Sequence, residues 1–124
     1  KDRNSAKKVV AELKQQLVTR LPDRDVFKDK FSKLKFIKGY TKDKKLIQYI
    51  FSYIESNKQT TKEFTPDSIT LEHILPQSSG GDDYVGSIGN LLPLGAELNE
   101  EAGSRKLAEK MNIYKKSSFK LTQE

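Results

Sequence analysis

Cysteine is absent from the 124 residues. That excludes a disulfide scaffold, a thiolate-held zinc site and a thiol nucleophile together. One His and one Met leave almost no other soft ligands, so a metal here is expected to be a hard cation held by oxygens. No stretch approaches the ~18 to 20 consecutive apolar residues that a membrane-spanning helix needs. The chain also lacks an initiator Met and a signal-peptide pattern, which reads as a domain cut from a longer, cytoplasmic protein.

What is present suits one folded domain. Hydrophobic residues make up 35% of the chain and include six Phe and five Tyr. They recur in periodic clusters, so the 32% charged fraction does not signal disorder. A domain of this size buries roughly two-thirds of its extended surface. The net charge of +6 is unevenly spread. Residues 1–66 carry 17 Lys/Arg against 8 Asp/Glu, and residues 67–124 carry 6 against 9. A basic half joined to a slightly acidic half is compatible with a phosphate-binding face beside a cation site. It is equally compatible with plain Lys-rich, solvated helices.

The spacing predicts an amphipathic helix over 5–21, capped by Asn4 or Ser5, with Val9, Val10, Leu13, Leu17 and Leu21 on one face. Pro22 interrupts it. Asp23 or Asp25 then caps a second helix in which Phe27, Phe31 and Leu34 share a face, closed by Gly39. A third helix from Thr41 carries Leu46, Ile47, Ile50, Phe51 and Ile54, the clearest core stripe in the chain. Residues 56–68 form a polar loop. Two short strands follow, Ile69–Leu75 and Ile88–Leu94, separated by a Ser/Gly/Asp loop. Pro76 ends pairing in the first, and Pro93 puts an edge or bulge in the second. Helices over 95–102 and 104–116 complete the chain, with Leu107, Met111 and Tyr114 facing inward. The fold class is α+β and mostly helical: a helical basic part (1–66) packed on a smaller ββα core (67–124).

The chemistry concentrates after residue 70. His73, the only histidine, lies at the end of a strand beside Glu72. Strand, loop, strand and helix can fold back to gather Glu72, His73 and Asn99. A carboxylate and an amide oxygen suit Mg²⁺, which keeps several waters and takes few protein ligands. A neutral imidazole beside it is suited to take a proton from water. Those parts fit metal-assisted phosphodiester hydrolysis. Set against them, a lone His is often an ordinary core residue.

The run Leu71-Glu72-His73-Ile74-Leu75-Pro76-Gln77, then Ile88-Gly89-Asn90-Leu91, then Glu97-Leu98-Asn99 resembles an HNH (ββα-metal) endonuclease. More narrowly it is similar to the C-terminal nuclease domain of GmrSD-type, modification-dependent restriction enzymes. Lys110 and Tyr114, four residues apart, with Ser117 and Phe119 after them, continue that pattern. Leu21-Pro22, Phe27 and the helix over 43–55 match its helical part. The resemblance covers nearly the whole chain.

Carried over by position, it makes His73 the general base and Glu72 and Asn99 ligands of Mg²⁺ or Mn²⁺. Asn90 would orient His73 or brace the loop. The last letter of the HNH pattern is Asn here rather than His, which argues against a zinc-like site. Pro93 replaces a usual β-former, and Ser104 stands where the family often has Asn. Neighbours in a regular strand point to opposite faces, so Glu72 and His73 reach one cation only if the strand bends or ends there.

Asp82 and Asp83 are runner-up carboxylates. Arg105, Lys106 and Lys110 are the expected phosphate contacts near the cut. Lys7, Lys8, Lys14, Lys28, Lys30, Lys42, Lys44 and Lys45 are candidates further out. The resemblance implies a DNA endonuclease of a bacterial anti-phage restriction system, governed by an N-terminal nucleotide-dependent domain of the same parent protein. The alternatives are a non-catalytic nucleic-acid-binding module that uses the basic half, or a helical protein-interaction domain with a core His.

Overall fold

The computed structural model describes residues 3–61 and 68–124. The part of the 56–68 loop at 62–67, including the 66/67 boundary between the expected halves, lies outside them. The chain forms two compact units, residues 1–31 and 32–124.

The first unit holds α1 (Arg3–Thr19) and most of α2 (Arg24–Ser32). Helix α1 begins upstream of the expected cap. Its stripe is not a core: Val9, Val10, Leu13, Leu17 and Leu21 are each more than half exposed. Asp23 caps α2 locally by accepting the Asp25 amide at 2.8 Å. Phe27 and Phe31, one turn apart, stack at 5.7 Å. Leu34 lies beyond the helix and packs instead into the second unit's core.

The second unit is built on a two-stranded antiparallel sheet of β1 (Thr70–His73) and β2 (Leu91–Leu94), paired from Thr70↔Leu94 to His73↔Leu91. Both strands are shorter than the apolar runs predicted, because Ile88–Asn90 folds as a 3-10 turn and pairing stops at His73. Pro93 sits in regular register opposite Leu71 without a bulge. A two-stranded sheet leaves each strand a free edge, where a missing N–H does no harm.

Alternation then sorts the sheet's residues to its two faces. Leu71 and Leu91 join Ile47 and Phe51 of α3 (Lys44–Lys58) and Phe119, at the start of α7 (Lys120–Gln123). On the other face Leu94 and Leu92 meet Ala102 and Leu98 of α5 (Ala96–Ala102) and Ile113 and Tyr114 of α6 (Leu107–Tyr114). The sheet is thus sandwiched between α3/α7 and α5/α6. Helix α4 (Asp82–Val85) lies in the connection between the strands. The fold is a mostly helical α+β arrangement, as expected.

The sequence pattern did not announce α7. Its N-terminus is held by the fully buried Glu55 of α3, whose carboxylate accepts the amides of Lys120 (2.7 Å) and Leu121 (3.1 Å). The inward face of α6 matches expectation only at Tyr114. Leu107 and Met111 are about half exposed, while Lys110, Ile113 and Tyr114 face the sheet.

Candidate active site

His73 closes β1 on the α3 face and is 7% exposed. Its position depends on the segment before α3. There the Phe36 amide donates to the Gly86 carbonyl at 2.8 Å, and the Ile88 amide donates to the Leu34 carbonyl at 3.1 Å. So anchored, Phe36 stacks on the imidazole at 5.5 Å and turns its carbonyl oxygen to within 2.7 Å of Nε2. A carbonyl can only accept, so Nε2 carries the proton and Nδ1 of the neutral ring keeps its lone pair. Nδ1 faces the side-chain amide of Gln77, at 3.4 Å. Gln77 is exposed on the turn after Pro76, and its Oε1 accepts the Lys38 amide at 2.8 Å.

Glu72 points the other way. It is 3% exposed, and its Oε1 accepts Lys110 Nζ at 2.6 Å and Tyr114 Oη at 2.9 Å. Lys110 is fully buried and donates a second bond, 2.6 Å, to the His73 main-chain carbonyl. Burial, reinforced by the Glu72 charge and by the hydrogen bond to Glu72, holds the Tyr114 phenol far above the ordinary tyrosine range. Asn99 of α5 is on the same face, donating to Thr70 Oγ1 at 2.7 Å, and that hydroxyl donates to the Leu94 carbonyl.

Asn90 is buried at the end of the 3-10 turn that leads into β2. It does not touch the imidazole; it ties the connection together. Its amide group donates to the carbonyls of Leu75 (3.0 Å) and Val85 (2.7 Å), and its Oδ1 accepts the Leu75 amide at 2.9 Å. Of the two roles expected for it, the structure places it at the loop.

The expected ligands and the expected base do not converge. Glu72 and Asn99 lie on the α5/α6 face and His73 on the α3 face, because β1 stays regularly paired through His73. The single face change that a shared cation required is absent. Glu72 would also have to leave both Lys110 and Tyr114 to ligate one. Among the described residues, no three His, Cys, Asp or Glu side chains cluster as a metal site. As arranged, these residues do not fit a cation that Glu72 and Asn99 hold beside a His73 base.

The expected phosphate contacts divide as well. Lys110 is a correction: its ammonium is buried with Glu72 and is not available to a phosphate at the surface. Arg105 and Lys106 are exposed at the start of α6, where Arg105 Nε donates to the Glu101 carbonyl. Asp83 is exposed and lies 3.7 Å from Lys35 Nζ, and the Asp82 side chain falls outside the described part. Two neighbours of His73, Phe36 and Gln77, were not expected from sequence as part of the site. Gln77 lies one turn-forming Pro beyond the strand, at the end of the Leu71–Gln77 run, but Phe36 is 37 residues away and no local signal points to it.

The sequence has a family counterpart. Residues 21–124 match the family described as "GmrSD restriction endonucleases, C-terminal domain". The class is therefore that of nuclease domains from restriction enzymes. Within that class, the chain belongs to the GmrSD restriction endonuclease C-terminal domain family. No significant match to a curated protein or to a solved structure was found. No helix among the described residues is long and apolar enough to cross a membrane.

Proposed function

We propose that this domain hydrolyses DNA phosphodiester bonds as an HNH-type endonuclease, with His73 as its general base. The observation that carries the reading is the Nε2–H contact to the Phe36 carbonyl, which leaves Nδ1 as a fixed proton acceptor at the end of the strand. Water displacing the weak 3.4 Å Gln77 contact would give its proton to Nδ1. The water oxygen then bonds to phosphorus, the bond to the leaving sugar oxygen breaks, and that oxygen takes a proton from solvent. DNA as substrate follows from family membership. The biological setting proposed is bacterial anti-phage restriction, with an N-terminal nucleotide-dependent domain of the parent protein choosing the target.

The test is supercoiled-plasmid cleavage by the unmodified protein and by His73→Ala in Mg²⁺, in Mn²⁺ and in EDTA. Loss of the general base is expected to slow cleavage by about 10²- to 10⁴-fold at matched metal. A folded variant that cuts as fast as the unmodified protein would refute the assignment. The three metal arms report cation dependence separately from the role of His73. An unmodified protein that binds DNA but never cuts it would favour a binding module instead.

A further inference from the structure

We infer that Lys38 and Lys44 hold backbone phosphates of the substrate strand beside His73, and that the α5/α6 layer does not. This rests on the reading of His73 as the reacting side chain. Two separate routes bring these lysines to it. Lys44 Nζ lies 5.5 Å from the centroid of the Phe36 ring, and that ring stacks on the imidazole. Lys38 donates its amide to Gln77 Oε1, and the same Gln77 side chain reaches Nδ1.

The local backbone is built to present Lys38. Ile37 and Tyr40 exchange two main-chain hydrogen bonds, and Gly39 at φ +89° supplies the left-handed residue that so tight a turn requires. Lys38 therefore sits at the tip of the turn, exposed. Neither Lys38 nor Lys44 has a carboxylate partner among the described residues. Lys35 is different: Asp83 offsets its ammonium at 3.7 Å, and its stem carries the charge over Tyr40 at 4.9 Å. The uncompensated charge beside His73 thus belongs to Lys38 and Lys44. Each DNA strand carries one phosphate charge per ~3.4 Å of helix axis, so a strand with its reacting phosphate at Nδ1 has further phosphates close by. Arg105 and Lys106 belong to the opposite layer, and buried Lys110 is committed to Glu72.

The experiment is fluorescence anisotropy with a labelled 20-base-pair duplex in EDTA across a salt series. It compares the unmodified protein, Lys38→Gln/Lys44→Gln and the charge-matched Arg105→Gln/Lys106→Gln. Each phosphate contact contributes about −0.9 to the slope of log affinity against log salt, so losing two should flatten it by about 1.8. Lys38→Arg/Lys44→Arg should restore the slope, which excludes a folding artefact. The Arg105/Lys106 pair should leave the slope unchanged. An unchanged slope for Lys38→Gln/Lys44→Gln, equal flattening by both Gln pairs, or an unmodified protein without salt-dependent binding would overturn the inference. If the unmodified protein still cuts plasmid through His73 while the slope does not move, only this inference falls. If the slope moves but the unmodified protein cuts no DNA, the phosphate grip stands and the assignment of His73 falls.

Discussion

Lys110 Nζ donates at 2.6 Å to the Glu72 carboxylate and, at the same distance, to the main-chain carbonyl of His73. One buried cation therefore closes two demands, a buried carboxylate and the last carbonyl of β1. Removing one partner of such a pair typically costs about 3–5 kcal/mol, since it strands the other charge away from water. Lys110→Met should lose stability on that scale, whereas Glu72→Leu/Lys110→Met should lose much less than the two single changes combined. Urea unfolding of all four proteins in a double-mutant cycle measures the coupling.

Tyr114 makes the same cluster sensitive to high pH. In the unfolded chain the phenol ionises near its ordinary value of about 10, while burial and Glu72 keep it protonated in the folded protein well beyond that. Above pH 10 the native state therefore binds the extra proton, and stability falls as pH rises, by at most ~1.4 kcal/mol per pH unit from this group. Below pH 10 its contribution is constant. Tyr114→Phe should flatten the decline between pH 10 and 12 relative to the unmodified protein, as read by denaturant unfolding at each pH.

Glu72 is the residue on which the expected metal role and the observed structure disagree most. A carboxylate that ligates the cation and one that neutralises Lys110 give different variants. Glu72→Gln should lower the unfolding midpoint and leave the Mg²⁺ concentration for half-maximal cleavage unchanged. A large rise in that concentration, with the unfolding midpoint unmoved, would return Glu72 to the metal.

Asn90 holds the Leu75 amide and the carbonyls of Leu75 and Val85. A buried group left unsatisfied costs about 1–3 kcal/mol. The Val85 contact is buried, the two Leu75 contacts are part-buried, and all three lie in the connection between β1 and β2. Asn90→Ala should therefore loosen that connection before the sheet. Hydrogen exchange should show the Leu75 amide losing protection by at least tenfold more than the Glu72 amide, which faces Leu92 in the ladder. Equal loss at both positions would mean that Asn90 supports the whole core.

Local periodicity carried much of this protein in its sequence. The stripe of α3 was legible because Ile47 and Phe51 recur one turn apart, and both are buried, whereas Leu46, expected in the same stripe, is about half exposed. The strand at Leu71–His73 was legible, and with it the conflict between Glu72 and His73, since alternation puts neighbours on opposite faces. Whether the strand bends there was not local information. Pairing of His73 with Leu91 keeps it straight, and that pairing joins segments 18 residues apart. Lys110 shows the limit most clearly. A lysine is expected in solvent because burying an unpaired ammonium is strongly unfavourable. Its burial becomes favourable only beside Glu72, 38 residues earlier in the chain. Glu55 repeats the case, since its carboxylate is buried only because two α7 amides about 65 residues away receive it. Patterns of apolar residues report the preferences of a chain segment. The burial of a charge depends on its partner, and only the tertiary structure brings the partners together.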